Sequence, residues 1–97
     1  MNDFRINAQE TARHYKGKMV GKRYRHFKGG IYLVTDIAVH SEDASLMVIY
    51  KNFHNLDLVW VRPLSMFLSE VDREKYPDVE QEYRFEELVE RKNKFND

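Results

Sequence analysis

The chain has 97 residues, no cysteine, and sixteen basic side chains against sixteen acidic ones. Such a length suits one domain that buries roughly 60 to 65% of the surface its unfolded chain would expose. The missing thiols exclude disulfide scaffolds, thiolate metal centres and cysteine nucleophiles, and no apolar run approaches the roughly 18 residues of a membrane-spanning helix. The start, Met1-Asn2-Asp3-Phe4-Arg5, lacks the apolar stretch of a secretory signal, so the expectation is a cytoplasmic protein without a membrane partner. The zero net charge hides a polarity along the chain. Residues 1–35 carry eight cations and two carboxylates, whereas residues 69–97 carry ten carboxylates and six cations. Such asymmetry marks either a basic face for an anionic partner or two chain ends that lie close together.

Asn7 as N-cap, Glu10 three residues on and Gly17 as a stop predict a short helix over residues 7–16. Its apolar stripe, Ala8, Ala12 and Tyr15, is thin, so it gains stability by docking. A basic connector follows over 18–23. Tyr24 to Lys28 and Ile31 to Val39 flank Gly29-Gly30 and predict a hairpin with positive φ at its turn. The second run is apolar on both faces, as a strongly bent strand would be. Leu46 to Lys51 and Leu58 to Arg62 are the next strands, the latter stopped by Pro63. Residues 64–71 mix periods, residues 72–80 form a charged loop, and the spacing of Phe85, Leu88, Val89 and Lys92 predicts a C-terminal helix over 85–94. Short strands with turn signals between them make a small β-barrel the expected architecture.

The ordered string Gly21, Tyr24-Arg25-His26-Phe27-Lys28-Gly29, Tyr32, Ala38, His40-Ser41-Glu42, Val48, Tyr50, Trp60-Val61-Arg62-Pro63, Met66-Phe67 and Arg84-Phe85 resembles the small bacterial domain called domain of unknown function 1653, over residues 21–85. The resemblance implies an SH3-like β-barrel and no established activity. It carries over no catalytic or binding residue.

Of the rings Tyr24, Phe27, Tyr32, Tyr50, Phe53, Trp60 and Phe67, about half are expected in the core, most clearly Phe27, Tyr50 and Phe67. Alternation puts Trp60 on one side of its strand with Leu58 and Arg62, and Val59 and Val61 on the other. With the valines inward, Trp60 and Arg62 face out together to stack a base, clamp an anion or receive a peptide. With Trp60 inward, Arg62 becomes half of an ion pair with Glu42 or Asp36. His14, His26, His40 and His54 are too far apart for a local metal motif, the serines occupy no glycine elbow, and Gly29-Gly30 lacks the rest of a phosphate loop. No metal, cofactor or catalytic residue is therefore nominated.

The expectation is one mainly β domain over residues 1–97, an SH3-like barrel core with short helices at both ends. It would act as a non-catalytic binding module through Tyr24, Arg25, Tyr32, Trp60 and Arg62, with a protein or peptide as one candidate partner. The alternative is a nucleic-acid or nucleotide binder using Lys22, Arg23, Arg25 and Lys28. An enzyme would need a concave pocket holding at least two of His26, His40, Glu42 and Arg62.

Overall fold

Asp3, rather than Asn7, starts the first helix. In the computed structural model, which describes residues 3–89, α1 spans Phe4–Met19. The Asp3 carboxylate accepts the Arg5 backbone N–H at 2.8 Å and pairs with its guanidinium at 2.9 Å, satisfying one of the helix's orphan donors. The helix also runs through Gly17, because a mid-helix glycine costs only about 1 kcal/mol against alanine and docking outweighs it. The chain leaves the helix two residues past Met19, where Gly21 takes a φ of 85° and donates its N–H to the Val34 carbonyl of the sheet. Ala12 and Met19 are the helix residues buried in the core.

The strands are β1 Arg23–His26, β2 Ile31–Val39, β3 Leu46–Asn52, β4 Asn55–Pro63 and β5 Phe85–Glu87, with one helical turn, α2 Leu64–Phe67, after β4. They form an antiparallel sheet in the order β4-β3-β2-β1-β5. The first four strands are consecutive hairpins. The Gly29-Gly30 turn expected between β1 and β2 is present, with φ of 102° and 89°. β4 begins earlier than expected, because only Phe53-His54 separate it from β3. The sheet does not close into a barrel: β4 and β5 are both edges.

The expected C-terminal helix does not start at Phe85. Phe85–Glu87 pair with β1 instead, His26 opposite Phe85 and Tyr24 opposite Glu87. Helical i, i+4 pairs contribute a few tenths of a kcal/mol, whereas burying a phenyl ring contributes about 2 kcal/mol, and Phe85 is buried flat against Phe67, centroids 4.0 Å apart. The remainder of that expected helix, residues 90–94, lies outside the described residues.

The apolar character of both faces of β2 has a specific cause. Val34 pairs with Tyr50 and Asp36 with Ile49, leaving Thr35 as an inserted residue whose hydroxyl donates to the Ile49 carbonyl at 3.2 Å. This bulge shifts the alternation by one, so that Val34 before it and Ile37 after it are both buried. Around them gather Val48, Tyr50, Tyr24, Leu64, Phe67 and Phe85, with Ala12 and Met19 from α1. Tyr50 and Phe67 are thus core rings as expected, while Phe27 is only half-buried. Among the described residues no helix is long and apolar enough to cross a membrane.

Candidate functional site

The cross-strand partners of Trp60 and Arg62 are Tyr50 and Val48, so both residues stand on the face that carries the core, and Val59 and Val61 stand on the other. The valines are more than half exposed and Trp60, at the sheet margin, is 48% exposed. Neither alternative read from the strand pattern holds unmodified. Trp60 faces the core side without being enclosed, and Arg62 pairs with neither Glu42 nor Asp36. Asp36 instead meets Lys16 of α1 at 3.6 Å, and Glu42 accepts the Ser41 hydroxyl.

The Arg62 guanidinium lies 5.3 Å from the centroid of the Phe85 ring. A side chain of one edge strand therefore rests on a ring of the other edge, with three strands between them in the sheet order. The sheet curves enough to bring the two edges into contact, and a cleft lies beside this contact. It has a volume of about 330 Å³ and is lined by His26, Lys28, Tyr32, Tyr50, Trp60, Arg62 and Phe85. A neighbouring cavity of about 320 Å³ shares His26, Lys28 and Arg62 and adds Phe27, Asp72, Lys75, Tyr76 and Arg84.

His26 sits where the two meet. As the last residue of β1 it packs against Phe27, centroids 4.7 Å apart, and edge-on against Phe85 at 4.9 Å. Its Nδ1 accepts the Lys28 backbone N–H at 3.1 Å, which in a neutral ring assigns the proton to Nε2. Burial lowers its pKa to about 4, and the charges of Arg62, Arg84 and Lys28 push the same way. The three cations rest on rings: Arg62 on Phe85, Arg84 5.9 Å from the Phe27 centroid, and Lys28 5.0 Å from that of Tyr76. A hydrogen bond from Lys28 lowers the pKa of the Tyr76 phenol. Among the described residues none of the three cations has a carboxylate within 4 Å.

Of the five residues expected to bind, Tyr32, Trp60 and Arg62 are brought together in the cleft. Tyr24 is not available there: it is 6% exposed, with its ring edge-on to Phe67. Arg25 projects from the opposite face of β1, because strand alternation sends Tyr24 and His26 inward and Arg23 and Arg25 outward. The basic segment is likewise divided. Lys22 reaches Glu87 at 4.0 Å, Arg23 lies over Phe53, Arg25 is exposed, and Lys28 alone enters the cleft. His26 and Arg62 share the pocket that an enzyme would need, but His40 and Glu42 lie in the β2–β3 turn, where His40 Nδ1 accepts the Glu42 N–H. No group of three His, Asp or Glu side chains among the described residues is placed to hold a metal ion.

Arg84, Phe85 and Tyr76 were not nominated from the sequence. They reach the site through the long return from α2 to β5, whose pairing with β1 has no local signature. Residues 22–87 match the family model described as a protein of unknown function, DUF1653. No curated protein and no solved structure matches the chain.

Proposed function

The chain belongs to the DUF1653 family, and for this member we propose a small non-catalytic binding module that holds an anionic ligand in the cleft between β4 and β5. One observation carries the reading. Lys28, Arg62 and Arg84 converge on a neutral histidine with no carboxylate within 4 Å of any of them among the described residues, so an anion arriving there would offset their mutual repulsion. The SH3-like character implied by the sequence belongs to the same reading: a barrel left open along one seam offers that seam as a groove. Tyr32 and Trp60 supply apolar walls, and Arg62 supplies a planar donor suited to a carboxylate or phosphate.

The test is a titration of the full chain with inorganic phosphate, followed by the imidazole resonances of His26 and the fluorescence of Trp60, the single tryptophan. Saturable changes at both, lost in Arg62→Gln, are expected. Unchanged signals through the millimolar range would remove the reading.

A further inference from the structure

We propose that the ligand of this cleft is a nucleoside 5′-monophosphate, its base held against Trp60 and its phosphate at the junction of Lys28, Arg62 and Arg84. This deepens the binding reading and rests on it.

The two adjoining cavities differ in chemistry. The one of about 330 Å³ is walled by the rings of Tyr32, Tyr50, Trp60 and Phe85. The one of about 320 Å³ is ringed by Lys28, Arg62, Lys75 and Arg84. A molecule spanning them has an apolar plane at one end and negative charge at the other. Most of the rings are already engaged: Tyr32, Tyr50 and Phe85 contact one another edge-on, and Phe85 also stacks on Phe67. Trp60 stands apart, with no aromatic partner among the described residues and nearly half its surface open. An indole in that state is a stacking platform, and every nucleobase offers a π-face to it. The volume of the ring half well exceeds what one phenyl group fills, which favours a base with its ribose over a simple aryl group.

At the charged end the donors are already oriented. Arg62 is steadied over Phe85 and Lys28 over Tyr76, and His26, its Nδ1 occupied, has its proton on Nε2. A guanidinium, an ammonium and a neutral imidazole N–H form a donor set for phosphate oxygens. The surroundings restrict the anion's size. Asp72 lines the charged cavity. A polyphosphate chain leaving the junction would meet the Asp72 carboxylate, whereas one phosphate need not. Each cavity also lies near the lower end of the range of about 300 to 1,000 Å³ typical of small-ligand sites.

The experiment is isothermal titration of the full chain with AMP, adenosine, ribose 5-phosphate, inorganic phosphate, phenyl phosphate and a short single-stranded oligoribonucleotide, with Trp60 fluorescence read in parallel. AMP is expected to quench Trp60 and to bind about tenfold or more tightly than each of the others, a gap of about 1.4 kcal/mol. Arg62→Gln and Trp60→Leu should each weaken AMP about tenfold, while Val61→Lys, on the opposite face, leaves it unchanged. Far-ultraviolet circular dichroism and thermal midpoints of the variants separate lost binding from lost folding. Phosphate or ribose 5-phosphate matching AMP would overturn the nucleotide assignment and leave the anion reading standing. Phenyl phosphate matching it would overturn the nucleoside in favour of any aryl phosphate. Tighter binding of the oligoribonucleotide would replace the mononucleotide by a polymer. Adenosine matching AMP, or no binding by any probe, would remove both readings.

Discussion

His26 concentrates the physical chemistry of the site. Its ring lies among Phe27, Tyr32 and Phe85, and three cations approach it, so a proton placed on it meets both a low-polarity environment and like charge. Burial comes first among the causes, with Arg62 next, which makes a separable prediction. In Arg62→Gln the His26 pKa should rise from about 4 yet stay below the ordinary value of 6.5, as followed by the imidazole carbon-bound proton shifts. A shift that does not move would mean that Arg62 points away from the ring in solution. The same depression sets a dependence of stability on pH. Between about 4 and 6.5 the unfolded chain binds a proton at His26 that the folded chain refuses, so stability falls as pH drops through that window and this group has no effect above it. Urea midpoints at pH 7 and pH 5 should therefore differ more in the wild type than in His26→Gln. A bound phosphate reverses the local field, so saturating ligand should raise the His26 pKa and reduce the acid sensitivity.

At the level of elements, two glycines separate what chain pattern reveals from what it conceals. Gly17 resembles a helix stop, yet it lies inside α1 with nothing beyond its chain neighbours and the helix's own backbone within 4 Å of where a Cβ would stand. Gly17→Ala should raise stability by about 0.5 to 1 kcal/mol, read as a higher urea midpoint with an unchanged slope. Gly30 has a φ of 89°, and an added Cβ would lie 3.2 Å from the Tyr32 ring. Gly30→Ala should cost about 1 kcal/mol or more and push Tyr32 within the cleft, so ligand affinity should fall along with stability. Equal stability of the two variants would contradict the turn geometry. The β1–β2 hairpin was legible because Gly29-Gly30 announce their turn locally, and β3 because its residues are apolar between polar turns. Thr35 was not legible: a bulge is one extra residue in a run that otherwise looks regular, and only its pairing with β3 exposes it. Phe85 was misread for a related reason. Phe85, Leu88, Val89 and Lys92 fit helical spacing, while the ring stacking that holds Phe85 in β5 depends on Phe67, far away in sequence. Tyr32, Trp60 and Arg62 could be named because strand alternation and residue chemistry are local properties. Arg84 and Tyr76 could not, because a loop from α2 delivers them.

Among the described residues the sheet has two open margins, and they differ in character. β5 is three residues long with Glu86 and Glu87 exposed, a short charged edge of the kind that resists pairing with other chains. β4 is nine residues long, and Leu56, Leu58, Val59, Trp60 and Val61 along it are all exposed. Among the described residues its backbone groups and apolar side chains lack the usual protections of an edge strand, such as inserted lysines, a mid-strand proline or a covering helix. The proposed binding role would account for the exposure of Trp60 and Arg62, but Val59 and Val61 face away from the cleft, toward the surface shared with Leu33, Ile49 and Lys51. That side of β4 is where two copies of the chain would meet first as concentration rises. Sedimentation velocity over a dilution series should show reversible self-association of the wild type, weakened in Val61→Lys. The substituted lysine leaves the core side untouched, so its thermal midpoint should lie within about 4 °C of the parent, as surface changes of this kind stay within roughly 0.5 kcal/mol. Self-association undiminished in Val61→Lys would shift the sticky surface away from β4. A wild type monomeric at all concentrations would mean that twist in the strand already protects the edge.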